Sequence, residues 1–445
     1  MAWSFAYFFH SFRSPLPWVK DGVAEGDSEN LWNPDFFYKE VIEVSSGIDE
    51  NGGIVWWLVF CLFLSYLATY FAAFKGLKSI GAAVYFTVLM PYVILTIFLI
   101  RGVTLTGAGE GLKYLFKPDF SKLWDINVWV DAAIQIQFSS GVAFGPLMYY
   151  GTARKPDEKI LKASYMVPIM NSATSLYAAL GMFAFVGHVA HELNLPIDKV
   201  SSSGLDLAFV AYPGMINLLA GSNFWAIIFF MMLVLLGIDS VFGFFDHILN
   251  YFIDMFPVIR EKMSYEVYVA VFTFFSFICS LIFVLENGLY TFALFDTYSC
   301  SISLLTCLLL ELYLIPWVFG IERLAALLKQ RTGEVMPKFV KIFIKYIIPL
   351  YIIAVYILSW VKEFMKDAKS DEDNGYPYLY IWLGRLLFII PMLFIVAGNF
   401  KRIDTPNIDD LVKKQYDGLE VDKDGNALNQ VANNDPAEKK GNSVA

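Results

Sequence analysis

Long runs of apolar residues follow one another along most of the chain. A hydrocarbon core about 30 Å thick requires roughly 20 apolar residues in a helix. An apolar stub at Met1–Phe12 is too short to cross. Nine later runs are long enough and are predicted to be membrane-spanning helices: Ile54–Phe74, Ala82–Ile100, Val128–Tyr150, Ala163–Ala190, Phe224–Phe256, Val267–Leu285, Tyr290–Phe319, Val340–Val361 and Tyr378–Phe400.

The segments between the runs predict how the chain is organised. Lysine and arginine are concentrated in alternate short connections, which the positive-inside rule places in the cytosol. Residues 1–402 are therefore predicted to form one membrane domain of nine full spans and an N-terminal half span. Residues 403–445 are polar, acidic and poor in aromatics, and they predict a disordered cytosolic tail.

Composition agrees with a chain dissolved in lipid. Hydrophobic residues make up 57% of the chain and charged residues 17%, against about 25% charge in soluble domains. No basic stripe with interleaved aromatics is present, so a nucleic-acid partner is not expected. The four cysteines lie inside apolar runs and are interpreted as packing residues. His188 and His191 are the only close pair of histidines, and they are interpreted as solvated loop residues. No enzymatic activity is expected.

Polar residues inside the apolar runs are the candidate functional residues, because polar groups are costly in lipid. Gln135, Ser139 and Ser140 lie in the middle of a predicted span and are followed by Gly141 and Gly145. Serine and glycine weaken a helix, and a broken helix would free backbone carbonyl groups to bind a cation. The alternative is a continuous, kinked helix whose serines bond back to the preceding turn.

Two further spans carry polar groups. Asn171 and Ser175 share one helix face, where they either form part of a site or bond to a neighbouring helix. Asp239 and Ser240 lie deep in another span. Asp239 either binds a cation or proton, or it pairs with a lysine or arginine of another segment. Asp296 is near the external end of its span, where an acid in water is the alternative to a functional role.

These segments, in this order, resemble the neurotransmitter:sodium symporter family. The resemblance extends from the stub to about Phe400. It rests on a combination of motifs: Leu16-Pro17-Trp18, Lys75-Gly76, Leu99–Leu105, Pro118–Leu123, Val128–Ala133, Gly204–Pro213 and Leu233–Ser240. It implies an all-α multi-span membrane protein with a partial leucine-transporter-like fold and broken helices. It also implies a multi-pass protein of the plasma membrane.

The resemblance assigns roles by position. Na⁺ is expected at two sites, and Cl⁻ at a third that shares residues with the first. The implied sodium ligands are Ser139 and Asn171 at one site, and Leu236 (through its carbonyl), Asp239 and Ser240 at the other. The implied chloride ligands are Gln135, Ser139, Asn171 and Ser175, and the implied substrate pocket contains Phe138, Gly141, Phe144 and Ser240. Asp296 and Asp254 align with the acids of the external and internal gates.

The resemblance also marks differences. It aligns Met1 with the middle of the family's third span, so the family's first helix, which carries ligands of both sodium sites, is expected to be missing. Ala153 replaces a gating tyrosine, and Phe244 follows Gly243 where a small pocket residue is usual.

Two functions follow from the resemblance. The first is a Na⁺-coupled and Cl⁻-dependent symporter of a small amino acid, amine or related osmolyte. The second is a transport-incompetent shortened isoform or fragment that modulates a full-length relative by forming an oligomer with it. In both cases the lipid bilayer surrounds the protein.

Overall fold

A computed structural model describes residues 1–20, 33–50, 52–74, 77–155, 158–194, 196–200, 204–299, 302–365 and 378–400. The predicted tail at 403–445 lies outside the described residues. The first ten helices are α1 (Ala2–His10), α2 (Trp56–Ala73), α3 (Leu77–Val103), α4 (Ala108–Phe116), α5 (Ile126–Ser140), α6 (Pro146–Thr152), α7 (Leu161–Leu193), α8 (Ile197–Val200), α9 (Gly204–Asp206) and α10 (Tyr212–Asn217).

The second half of the chain is also helical. It contains α11 (Ser222–Met255), α12 (Val258–Lys262), α13 (Tyr265–Ser280), α14 (Gly288–Ser299), α15 (Ile302–Tyr313), α16 (Ile321–Thr332), α17 (Lys338–Ile342), α18 (Ile348–Met365) and α19 (Tyr378–Phe400). Short 3₁₀ segments lie at Phe120–Trp124 and Leu281–Val284, and π-helical segments lie at Phe36–Val41, Leu207–Ala211, Leu314–Gly320 and Phe343–Ile347. Within the described residues, β pairing is limited to one bridge between Ile54 and Leu285.

Seven stretches of the described residues are long and apolar enough to cross a membrane: Trp56–Ala73, Tyr85–Val103, Leu161–Glu192, Ser222–Met255, Tyr265–Val284, Gly288–Thr332 and Lys338–Val361. Each matches one of the nine predicted spans. Large apolar side chains on them point outward; Trp56 is 73% exposed and Leu350 is 71% exposed. Such surfaces are stable in lipid rather than in water. The all-α multi-span fold is therefore confirmed.

The two remaining predicted spans behave differently. Val128–Tyr150 is not one helix, because the chain leaves the helical conformation between α5 and α6, and neither half is long enough to cross. Tyr378–Phe400 forms α19, but several of its side chains are outside the described set.

The predicted loop after Phe319 is also helical. It is α16, which follows a π-helical segment directly. Its apolar face, including Ile321, Ala325 and Leu328, is buried against Leu161 and Val340. Lys329 and Arg331 remain exposed, whereas Arg323 is buried with the apolar face.

The largest core cluster surrounds α1. Tyr7 and Trp18 are almost fully buried there, although they come from the short N-terminal segment. The Tyr7 hydroxyl donates to the carbonyl oxygen of Phe209 at 2.6 Å, and Trp18 Nε1 donates to Asn217 Oδ1 at 3.0 Å. These bonds satisfy polar groups that would be costly to bury alone, and they hold the stub against the segment that precedes α11.

His188 is not a solvated loop residue, so that interpretation was wrong. It lies within α7, is buried, and its Nδ1 is 2.9 Å from the carbonyl oxygen of Thr106. The loop before α4 supplies this partner because α4 packs closely against α7 through Gly111 and Gly187. Within the described residues, no group of three metal-binding side chains is present.

The start of α7 has an acidic cap from a distant segment. Glu334, in the loop after α16, accepts hydrogen bonds from the backbone N–H groups of Leu161 at 3.0 Å and Ile160 at 2.8 Å. The bond from Leu161 is the main reason that the pKa of Glu334 lies below its ordinary value. A carboxylate at this position satisfies donors that have no partner within the helix.

We expect Glu334→Gln to loosen the start of α7. Because folding lowers the pKa of Glu334, the stabilisation is complete above the unfolded pKa of about 4.3 and is lost as pH falls through the lower folded value. Amide exchange at Ile160 and Leu161 should therefore be faster in the variant at neutral pH, and the difference should disappear in acid. Glu158→Gln, which removes an exposed pair with Arg154, is the matched control. Equal exchange in the variant and the parent at neutral pH would disprove the capping role.

Candidate functional site

A break in the helical chain forms the centre of the site. Helix α5 ends at Ser140 and α6 begins at Pro146. Between them Gly141, Ala143 and Gly145 have φ values of 69°, 66° and 100°. Glycine adopts positive φ without the steric cost of a Cβ, so the two glycines explain why the helix stops here. Of the two readings of this segment, the broken helix is the one found.

The carbonyl groups at the end of α5 lose their helical partners at the break. The Phe138 carbonyl accepts from the backbone N–H of Gly141 at 3.2 Å, and the Gln137 carbonyl accepts from Ser140 Oγ at 3.2 Å. These two carbonyls therefore have donors from the break itself, in place of the partners that a continuous helix would supply.

Ser139 and Asn171 are brought together. Asn171 Nδ2 donates to Ser139 Oγ at 2.9 Å, which joins α5 to α7 directly. This bond uses the amide nitrogen and leaves the amide oxygen of Asn171 available. Gln135 lies one turn before Ser139, and Ser175 lies one turn after Asn171 with its hydroxyl donating to the Asn171 carbonyl at 3.0 Å. The four implied chloride ligands thus lie on one turn of α5 and one turn of α7. The hydrogen bond between Asn171 and Ser139 joins these two turns.

Asp239 lies on α11, where it accepts a hydrogen bond from Thr87 Oγ1 of α3. Ser240 is the next residue on α11, and its hydroxyl donates to the Leu236 carbonyl, one turn earlier, at 3.1 Å. Among the described residues, no ion pair joins Asp239 to a lysine or arginine. A carboxylate, a hydroxyl and a carbonyl oxygen therefore lie close together on one helix.

An aromatic contact connects the break to α11. The rings of Phe138 and Phe144 are 5.6 Å apart, and those of Phe144 and Phe244 are 5.3 Å apart. Phe244 therefore occupies the space beside the break where the family usually has a small residue. Within the described part of the chain, no hydrogen bond links Asp239 to Ser139 or Asn171.

The two implied gate residues are both exposed. Asp254 lies in the last turn of α11, and Asp296 lies in α14. Their assignment as internal and external gates stays a prediction.

Some residues near the site were missed by sequence reasoning. Thr87 was not considered as a partner for Asp239, although a hydroxyl inside an apolar run was a usable signal. Asp246 and His247 were also passed over, although they are titratable residues within the span that contains Asp239. His247 reaches the break, because a Cβ at Gly145 would come 2.3 Å from its Nε2.

We expect Gly145→Ala to destabilise the break. The new Cβ would collide with His247, and φ of 100° is strained for any residue with a side chain. Strain of this kind costs about 1–3 kcal/mol. Thermal unfolding of the purified protein in detergent should show the loss as a lower Tm. Gly151→Ala is the matched control, since its Cβ would meet nothing within 4 Å. An unchanged Tm in Gly145→Ala would contradict the described geometry.

The chemistry of these groups suits small, hard ions. Sodium favours carboxylate, hydroxyl and carbonyl oxygens, and all three occur on α11 and at the break. Chloride is bound by hydroxyl and amide hydrogens, which Gln135, Ser139, Asn171 and Ser175 carry. Freed backbone groups at an interrupted membrane helix supply ion ligands that a continuous helix cannot.

Comparison with known proteins identifies the family to which the chain is similar. The model of the "Sodium:neurotransmitter symporter family" matches residues 1–404. The "Sodium- and chloride-dependent GABA transporter 2" of Homo sapiens is 34% identical over 425 residues, which cover 91% of this chain and 70% of the relative. The "Sodium- and chloride-dependent taurine transporter" of Canis lupus familiaris is 33% identical over 439 residues, which cover 94% of this chain and 70% of the relative.

The family match covers the break, α7, α11 and the core around α1 together. The expected resemblance is therefore confirmed, as is the expectation that this is a transporter sequence rather than an enzyme. The chain belongs to the sodium:neurotransmitter symporter family.

Proposed function

We propose that the chain is a sodium-coupled, chloride-dependent symporter of a small amino acid, amine or related osmolyte. The observation that carries the proposal is the interruption of the helix between α5 and α6, beside which Asn171 bonds to Ser139. This arrangement brings an amide oxygen, a hydroxyl and the end of an interrupted helix together at the junction of α5 and α7. The printed names of the relatives, which are GABA and taurine transporters dependent on both ions, support the choice of ions and of substrate class.

The proposed sodium ligands form two sets. Ser139 and Asn171 would hold one ion, and Leu236, Asp239 and Ser240 would hold the other. Gln135, Ser139, Asn171 and Ser175 would hold chloride. Phe138, Gly141, Phe144 and Ser240 would line the substrate pocket. Ions that bind the outward-open form more tightly would shift the protein toward the state that receives substrate, so the sodium gradient would drive uptake.

The proposal further places the protein in the plasma membrane as a multi-pass protein with its tail in the cytosol. Lysine and arginine in alternate connections support this orientation. Modulation of a full-length relative through an oligomer stays a prediction, as does any homo-oligomer.

Uptake measurements test the function directly. The chain would be expressed in cells with low background, and uptake of labelled GABA and taurine would be measured with Na⁺ replaced by N-methylglucamine or Cl⁻ replaced by gluconate. We expect uptake that falls to background without Na⁺ and falls strongly without Cl⁻. Uptake at the same rate with and without Na⁺ would disprove the proposal.

The same cells can also test the second function, in which the chain does not transport but modulates a full-length relative. If the chain reaches the surface but takes up neither substrate, it should be co-expressed with a full-length relative. A change in the relative's surface labelling would then favour the modulatory role.

A further inference from the structure

Asp246 is a buried carboxylate that belongs to none of the proposed ion sites. It lies on α11, seven positions after Asp239, and is 0% exposed. Asn250 Nδ2 donates to its Oδ1 at 3.0 Å, while its Oδ2 is buried without a hydrogen-bond partner. Among the described residues, no ion pair joins it to a lysine or arginine. An unpaired carboxylate anion in such a place would be strongly destabilising.

Hydroxyl groups and one imidazole surround Asp246. The hydroxyl of Tyr149 on α6 lies beside its carboxyl group, and the hydroxyl of Tyr265 on α13 lies beside Asn250 and within electrostatic range of Asp246. The Tyr265 hydroxyl is itself buried without a partner, as is Nδ1 of the neighbouring His247. The titratable groups facing the cluster are Tyr149 and Tyr150 on α6, Tyr265 and Tyr268 on α13, His247 on α11, and Tyr66 and Tyr70 on α2.

Three unsatisfied polar atoms in one place require an explanation, because buried polar groups are nearly always paired. A calcium ion at Asp246 would need about six to eight oxygen ligands. Here the carboxylate, the two tyrosine hydroxyls and the amide oxygen of Asn250 are too few. A proton needs only the free carboxylate oxygen and a neighbouring acceptor, and the phenol and imidazole groups supply acceptors.

We propose that Asp246 is a proton-binding site, with the proton on Oδ2, shared with the hydroxyl of Tyr149. The proton comes from water and returns to water when the packing around Asp246 opens. No other bond forms or breaks. In the packed arrangement the neutral carboxylic acid removes the cost of a buried charge.

The site is placed to affect the helix break. Tyr149 lies in the first turn of α6, directly after the break, and its ring is 6.0 Å from that of His247. His247 in turn packs against Gly145. Loss of the proton would leave a charge between α6 and α11, so it would favour a conformation in which α6 moves away and water enters. The proton thereby couples to the position of the second half of the broken helix.

Infrared spectroscopy tests the site without requiring transport. The full chain, purified in lipid vesicles free of substrate, would be measured at neutral pH for the carbonyl stretch of a protonated carboxylic acid. We expect this band in the parent and in the control Asp119→Asn, which removes an exposed aspartate, and its loss in Asp246→Asn. Identical spectra in the parent and Asp246→Asn would overturn the proposal. A band that appears only when Na⁺ is removed would also overturn it, because a metal cation would then occupy the site.

A second variant covers the case in which Asp246→Asn fails to fold, as judged by size-exclusion chromatography and circular dichroism. Tyr149→Phe keeps the carboxyl group and removes one hydroxyl neighbour, so it should shift the frequency of the band without abolishing it. An unshifted band would contradict the shared proton.

A consequence for transport rests on the proposed function. If the chain is a symporter, the dependence of uptake on cytosolic pH should be flatter in Asp246→Asn than in the parent. If there is no uptake at all, the proposed function fails, while the infrared result still decides the proton site.

Discussion

Replacing Asp239 by asparagine is expected to abolish sodium-dependent uptake. The carboxylate is the one formal negative charge among the proposed sodium ligands, and its removal leaves a neutral amide facing the cation. At an effective dielectric constant of about 20, a charge pair about 4 Å apart contributes about 4 kcal/mol. That corresponds to roughly a thousandfold in affinity. Uptake of labelled substrate against Na⁺ concentration measures the effect, with surface labelling to correct for expression.

Thr87→Val is the matched control for Asp239→Asn. Valine keeps the shape of threonine and removes the hydroxyl that donates to Asp239, while the charge remains. The loss of one hydrogen bond, about 1.4 kcal/mol, should raise the Na⁺ concentration for half-maximal uptake by about tenfold. If Asp239→Asn retains the parent's dependence on Na⁺, Asp239 is not a sodium ligand. If the two variants are equally impaired, the carboxylate acts through its bond to Thr87 rather than through its charge.

Asn171→Ala is expected to weaken coupling to both ions. The change removes the amide oxygen proposed for sodium and the Nδ2 donor that bonds Ser139. Polar contacts to a charged group contribute about 1.5–3 kcal/mol, so the Na⁺ concentration for half-maximal uptake should rise about 10- to 100-fold. The dependence on Cl⁻ should weaken in the same variant, because Asn171 belongs to both proposed sets.

Ser172→Ala controls for a general effect on α7. Ser172 is the exposed neighbour of Asn171 and belongs to neither set, so uptake should keep the parent's ion dependence. Unchanged Na⁺ dependence in Asn171→Ala would remove this residue from the sodium site. A change in Na⁺ dependence with no change in Cl⁻ dependence would show that the two ions do not share it.

The helices of this protein were predictable because lipid requires long apolar runs. Seven of the predicted spans overlap stretches that are apolar and long enough to cross, because about 20 consecutive apolar residues are typical of a membrane helix. The largest difference in bounds is at Gly288–Thr332, which continues beyond the predicted end at Phe319. The break was open to two readings. The glycines and serines of this segment indicate low helix propensity. Only the positive φ values at Gly141, Ala143 and Gly145 show that the helix stops there.

Partners across helices were harder to foresee. The hydrogen bond from Thr87 to Asp239 joins residues 152 positions apart, and that from Asn171 to Ser139 joins residues 32 positions apart. Periodicity identifies which residues share a face of one helix, but it carries no information on which helix lies opposite. The pairing of α5 with α7 was therefore reached only through family resemblance. The burial of Asp246 depends on the helices packed around it, and the periodicity of its own span carries no information on them.

The position of α1 in the core has a consequence for biosynthesis. Tyr7 and Trp18 bond to Phe209 and Asn217, which are 202 and 199 positions later in the chain. At about 5–20 residues per second, a ribosome needs roughly 10–40 s to make that intervening length. Until then the Tyr7 hydroxyl and the Trp18 indole lack these two partners, although their rings can already contact each other and Phe36. The docking of this segment therefore completes late in synthesis, after several later helices have been made.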